Sequence, residues 1–235
     1  KFDKGVIERR VELMSKEGVT FKTNTNVGVD ISADDLKNGY DALVLSGGST
    51  IPRDIPIPGR ELKGIHPAME FLSQQNTRNA GKSETQNHRG ETIDEIKATG
   101  KNVMVIGGGD TGSDCVGTSN RHGAVSITQI ELLERPPSER AESTPWPMWP
   151  YQLRTSSSHQ EGAQRDWALF TKEFVGDAEG NLKGVILQDM GWSETEPGKK
   201  PKWGVIDGTE REIACELALL AIGFLHPQQN GLLND

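Results

Sequence analysis

Apolar positions in the first stretch recur at helical spacing: Val6, Ile7, Val11, Leu13 and Met14 fall within residues 5–17, and Gly18 stands where a helix would stop. The period then shortens. Val19-Thr20-Phe21-Lys22-Thr23 is β-branched and aromatic and predicts a strand; residues 40–45, ending at Ser46-Gly47-Gly48-Ser49, predict another. Residues 51–59 interleave proline with aliphatic side chains. Proline donates no ladder hydrogen bond, so this stretch reads as a stiff extended connector. Residues 68–72 predict a short helix, and the polar run 74–89 an exposed loop.

From Lys101 the pattern sharpens. It predicts a strand over 102–106, a glycine turn, a helix over 111–122 and a strand over 125–133. Residues 135–150, rich in proline and tryptophan, leave regular structure. Residues 167–175 and 182–188 flank Asp177-Ala178-Glu179-Gly180-Asn181 and predict a β-hairpin. A last strand over 217–222 closes on Gly223. No internal repeat or heptad is visible.

Gly107-Gly108-Gly109-Asp110-Thr111-Gly112 satisfies G-x-G-x-x-G, with Val103-Met104-Val105-Ile106 in front of it and a helix-then-strand unit behind. In a dinucleotide-binding turn the first glycine permits the tight reversal and the second lets the backbone approach a diphosphate. The third lets the helix pack on the strand, and the phosphates rest on free N–H groups at the helix start. An acidic residue about 20 positions on would bond a ribose hydroxyl, and both Glu131 and Glu134 qualify. Arg135 and Arg140 follow, and two arginines near one strand end suit the 2′-phosphate of NADP, whereas Glu134 suits NAD. NADPH is the favoured coenzyme and NADH stays open. Two further strand-to-glycine transitions, at Gly47-Gly48 and at Gly223, lie on either side of this unit. Each is also consistent with simple strand ends; their repetition suggests one domain inserted into another.

Composition narrows the choices. Lys and Arg total 26 against 34 Asp and Glu, a net charge of −8, which argues against nucleic-acid binding through the phosphate backbone. Hydrophobic residues make up 34 %, and no run approaches the roughly 20 apolar residues of a membrane span. Lys1 opens the sequence with no basic-then-apolar leader, so no secretory signal is expected. Two cysteines, Cys115 and Cys215, exclude a disulfide scaffold or a CxxC metal site within these residues, and a reducing, cytoplasmic setting is expected. Both read as small apolar core residues. The five histidines show no ligand spacing, so no metal is expected in this chain. Ser156-Ser157-Ser158-His159 sets hydroxyls beside an imidazole without the strained elbow of a hydrolase. Trp146 and Trp149 between prolines read as a rigid plug.

Taken with Val11 through Val19, residues 40–62, Gly107–Gly123, Pro136-Pro137-Ser138-Glu139-Arg140, Pro145-Trp146-Pro147-Met148-Trp149-Pro150, the run Arg154 to His159 and residues 219–225, the chain resembles the glutamate synthase small (β) subunit family, within the flavin- and nicotinamide-dependent oxidoreductases. The resemblance covers nearly the whole chain. It implies an α/β architecture: a Rossmann-like NAD(P)H-binding domain, with a parallel sheet, flanking helices and a β-hairpin, inserted into a partial FAD-type α/β domain. The expected boundaries are 1–62 and 223–235 for the flavin parts and 63–222 for the nicotinamide domain. It further implies that Gly107–Gly112 holds NADPH while Gly47, Gly48 and Gly223 face flavin. Electrons would pass through iron–sulfur clusters to a large (α) subunit that makes glutamate from glutamine and 2-oxoglutarate.

The family's first, FAD-type glycine turn and its iron–sulfur cysteines are not in these residues, so the chain is expected to be a fragment that does not retain FAD. Hydride transfer between stacked rings needs alignment and dryness more than an acid or base, and no catalytic side chain is nominated. The competing readings are a non-catalytic nucleotide-binding module that docks through the Trp-Pro segment, a related NADPH:acceptor flavin oxidoreductase subunit, and a methyltransferase. The third glycine and the paired arginines favour the dinucleotide.

Overall fold

A computed structural model describes residues 3–81, 94–193 and 202–233. The chain divides into two compact units: Lys1–Ile51 with Leu225–Asp235, and Pro52–Phe224.

The first unit carries two helices. In α1 (Lys4–Lys16) the Asp3 carboxylate accepts the Gly5 N–H at 2.7 Å, and the chain leaves the helix through Gly18 at φ +98°. In α2 (Ala33–Gly39) Ser32 and Asp35 form a reciprocal capping box. The strands predicted over 19–23 and 40–45 do not form. Their side chains have the right propensity, yet no described segment runs alongside to complete a ladder. Val44 is 89 % and Leu45 61 % exposed.

The second unit supplies the sheets. In chain order its elements are β1 (Ile65–Pro67), α3 (Ala68–Asn79), β2 (Asn102–Ile106), α4 (Asp110–Arg121), β3 (Ser126–Ile130), α5 (Ser157–Gln160), β4 (Gln164–Asp166), β5 (Leu169–Gly176), β6 (Leu182–Ser193), β7 (Lys202–Val205), β8 (Arg211–Ala214) and β9 (Leu217–Leu220). Five strands make a parallel sheet in the order β1-β9-β2-β3-β4. The other four are antiparallel, with β6 pairing β5, β7 and β8. The predicted hairpin is therefore present, enlarged by two short strands.

Both faces of the parallel sheet are covered at its centre, so β9 and residues 103–106 of β2 are apolar at successive positions rather than alternately. Val103, Val105, Leu217 and Leu219 face Phe71 of α3 and Cys115 and Val116 of α4. Met104, Ile106, Ala218 and Leu220 face Phe174, Val185 and Leu187 of the antiparallel sheet. The proline-rich connector is irregular, as expected, and seats Ile55 and Ile57 against this second core. One prediction fails in an informative way. The polar run from Gln74 continues α3 to Asn79, and Gln74 is buried, donating to the Asp94 carbonyl at 2.9 Å and accepting the Ile96 N–H at 2.8 Å. The rest of that predicted loop, residues 82–89, lies outside the described residues. Among the described residues no helix is long and apolar enough to cross a membrane.

Candidate nucleotide-binding site

Strand order locates a crevice before any side chain is considered. From β2 the chain moves outward through β3 and β4 on one side, while β9 and β1 lie on the other. Such a reversal of direction opens a gap at the carboxyl ends of the strands. Gly107–Gly112 sits there, directly after β2.

The glycines have separate reasons for lacking a side chain. Gly107 has φ +121°, and a Cβ on it would fall on the Ala221 carbonyl oxygen. At Gly112 a Cβ would strike the Gly107 carbonyl oxygen and come within 2.7 Å of Gln129 Nε2, so α4 packs on β2 only because this position is bare. At Gly108 it would run into the Glu131 carboxylate. Gly109 is different: nothing lies within 4 Å of where its Cβ would be. Gly109 caps α4 without a side-chain hydrogen bond, and the first bond inside the helix is Ser113 N–H to the Gly109 carbonyl at 3.0 Å. The amides of Asp110, Thr111 and Gly112 thus precede the helical ladder, at its positive end.

Beside the turn lies a cleft of about 390 Å³ whose lining includes Gly108, Glu131, Trp149, Arg154 and Arg165. Glu131, the first residue past β3, accepts Trp167 Nε1–H at 2.8 Å and stands 3.9 Å from Arg165 Nη2. Arg165 on β4 donates through Nη1 to the Arg154 carbonyl at 3.0 Å, and its Nε is buried with no hydrogen-bond partner among the described residues. Burial draws its pKa down from the usual guanidinium range, against the opposing pull of Glu131. The indole of Trp167 lies 5.1 Å from both the Arg135 and the Arg165 guanidinium carbons, and Arg154 lies 4.4 Å from the Trp149 ring.

The site residues nominated from sequence disperse accordingly. Gly107 to Gly112 form the turn, and Arg135 reaches the Trp167 face. Glu134 is exposed and accepts Trp192 Nε1–H at 3.0 Å, while Arg140 donates to the Met148 carbonyl at 3.2 Å within the Trp-Pro segment. Neither lines the cleft. Gly47 and Gly48 lie in exposed, unpaired backbone of the first unit, Gly48 at φ +64°. Gly223, at φ +85°, accepts the Arg53 N–H at 3.0 Å in the second unit. Sequence reasoning missed Arg154 and Arg165 as site residues. No local spacing marks them, and the strand β4 that carries Arg165 was not predicted.

Residues 5–145 match the family described as pyridine nucleotide-disulphide oxidoreductase. The chain belongs to this oxidoreductase family. Curated relatives are glutamate synthases. The chain is 43 % identical over 240 residues to a protein named glutamate synthase [NADPH] small chain from Mycobacterium tuberculosis, covering all of this chain and 46 % of that protein. It is 44 % identical over 239 residues to glutamate synthase [NADH] of Schizosaccharomyces pombe, covering 97 % of this chain and 11 % of that one. The chain thus spans about half the length of the small chains it matches. Among solved structures of this oxidoreductase fold, Mycobacterium tuberculosis FprA in complex with NADPH superposes with a TM-score of 0.56 at 14 % identity, over 86 % of this chain and 54 % of that one. That likeness speaks for the fold alone.

Proposed function

We propose that the second unit binds NADPH and serves as the electron-input module of a glutamate synthase small-subunit-like oxidoreductase. The observation that carries the reading is the pairing of the open Gly109 turn with a cleft holding Arg165, whose buried Nε has no hydrogen-bond partner among the described residues. A buried donor left unbonded costs free energy, and a phosphate oxygen is the acceptor that suits it. The amides of Asp110, Thr111 and Gly112 would receive the diphosphate, Arg165 and Arg154 the 2′-phosphate, and Trp149 and Trp167 would bound the adenosine end. Glu131, next to Gly108, takes the place of the ribose-binding acid in preference to Glu134. When bound, the reduced nicotinamide supplies a hydride and a flavin accepts it. The side chains described here hold and orient the coenzyme; none is assigned a proton-transfer step.

The relatives' names divide between NADPH and NADH, so coenzyme choice rests on the arginines. Arg165→Ala should weaken NADPH binding by about 2 kcal/mol, roughly thirtyfold, and leave NADH within about twofold. Equal losses for both coenzymes would reject the 2′-phosphate assignment, and no binding of either to the unaltered protein would reject the nucleotide reading.

The flavin reading is separate. Gly47, Gly48 and Gly223 are proposed to face flavin in the assembled enzyme. The described residues of the first unit contain no strand and so no strand-to-helix glycine turn for its diphosphate. This chain alone should purify colourless, and a yellow preparation releasing FAD on denaturation overturns that. Iron–sulfur transfer, a glutamate synthase large subunit as partner, ammonia assimilation into glutamate and a cytoplasmic setting complete the proposal, all resting on the similarity to the small chains.

A further inference from the structure

The serine-rich run before β4 is wired into the glycine turn. Ser156 caps α5, and both its backbone N–H and its hydroxyl lie 3.0 Å from His159 Nδ1. On the far side of the ring His159 Nε2 lies 2.8 Å from Gln129 Oε1. Gln129 is 1 % exposed and donates through Nε2 to the Gly107 carbonyl at 2.9 Å. The circuit closes at the other end of the turn, where the Ser113 hydroxyl bonds the Ser156 hydroxyl.

Donor and acceptor roles follow without choice from the Ser156 N–H to the Gly107 carbonyl, and only the Ser113–Ser156 hydroxyl pair can be polarised either way. The Ser156 N–H can only donate, so Nδ1 carries the lone pair and the single imidazole proton sits on Nε2. Nε2–H then donates to Gln129 Oε1. That fixes the amide orientation and leaves its NH₂ for the Gly107 carbonyl. The Gly107 N–H is itself held by the Ile130 carbonyl at 2.9 Å, so both polar groups of that residue are anchored to β3.

We propose that His159, acting through Gln129, clasps the glycine turn and holds its amides in the orientation that receives the coenzyme diphosphate. Both are positioning residues; neither lines the cleft. The inference rests on the nucleotide reading of the turn and adds to it an internal support that has all its bonds only with a neutral imidazole. An imidazolium would keep its Nε2–H on Gln129 but turn Nδ1 into a donor toward the Ser156 hydroxyl, leaving the Ser156 N–H without its acceptor and the ring repelled by it. Burial, and secondarily the charge of Arg165, hold the His159 pKa below its ordinary value of 6.5, which favours the form the clasp needs. Arg165 comes from β4, β3 presents only the neutral Gln129 amide, and α4 presents the Ser113 hydroxyl. The charged Arg121 of α4 is paired with Glu161 at 2.5 Å.

Coenzyme affinity measured between pH 5 and 8 on wild type, His159→Leu and His159→Gln tests this. Glutamine preserves both roles, accepting the Ser156 N–H and donating to Gln129, and does not titrate. His159→Leu should weaken NADPH and NADH alike, by about tenfold at pH 8, because the coenzymes share the diphosphate. Wild-type affinity should be flat at neutral pH and fall as the solution is acidified below 6.5. His159→Gln should bind within about threefold of wild type at pH 8 and lose the acid-side fall attributable to the protein. Measuring NADH beside NADPH separates that fall from titration of the 2′-phosphate. If wild type binds and His159→Gln retains the same acid-side fall, the clasp is wrong while the nucleotide reading stands. If His159→Leu folds and binds like wild type, the clasp is likewise overturned. If wild type binds neither coenzyme, both readings fall together.

Discussion

Two segments of nearly the same character meet opposite fates. Ala42-Leu43-Val44-Leu45 runs into Ser46-Gly47-Gly48, and Leu217-Ala218-Leu219-Leu220 runs into Ala221-Ile222-Gly223. The second is β9, flanked by β1 and β2, with Leu217, Ala218 and Leu219 all fully buried. The first is irregular backbone with Val44 exposed to 89 %. Local propensity is the same in both. What differs is a pair of neighbours able to take up the backbone donors and acceptors and to cover the side chains.

The largest effect that sharpens this contrast comes from placing a charge in each segment. Leu219→Asp buries an unpaired carboxylate between two strands and should cost more than about 4 kcal/mol, leaving the second unit unfolded in urea titrations. Val44→Asp should change stability by no more than about 0.5 kcal/mol. A comparable loss at both positions would mean that the first segment is packed after all.

A smaller contrast lies within the glycine turn. Gly112→Val drives a side chain into the Gly107 carbonyl and should destabilise by about 3 kcal/mol in thermal melts. Gly109→Val places its Cβ where nothing outside the adjoining backbone lies within 4 Å and should cost about 1 kcal/mol or less, while abolishing detectable NADPH binding. If Gly109→Val binds the coenzyme normally, the diphosphate does not rest there.

The smallest effect concerns the thiols. Burial pushes both Cys115 and Cys215 up to about 12, so neither should react with a thiol reagent at pH 8 until the protein unfolds. An unfolded thiol titrates near 9.0, below the folded value. Their contribution to stability is therefore complete below pH 9 and is lost as the pH rises toward 12. Rapid labelling of the native protein would contradict this.

These contrasts explain what the sequence could and could not disclose. The β2–turn–α4 unit was legible because its signals are local: a β-branched run, then glycines at fixed offsets, then a helical stretch. Val103 and Val105 carry the same signal as residues 42–45, and here β3 and β9 flank the segment and make it good. Gln74 misled for the opposite reason. A glutamine is polar by composition, but this one is buried because Asp94 and Ile96 supply its partners, and they lie outside any helical window. Likewise Arg165 reaches Glu131 only because β4 pairs with β3, a register that no spacing announces. Glu131 and Glu134 were equally eligible by count; only the end of β3 at Ile130 places the first against Gly108 and turns the second toward Trp192.

The position of β9 also bears on how the molecule is made. It lies next to the middle of the parallel sheet, yet it is the last in sequence of the described strands, and β1 and β2 both pair with it and not with each other. A nascent chain still short of Leu217 holds two early strands with no common neighbour, so the sheet cannot close until synthesis has passed the hairpin. Pairing between strands this far apart in sequence is the kind that slows folding.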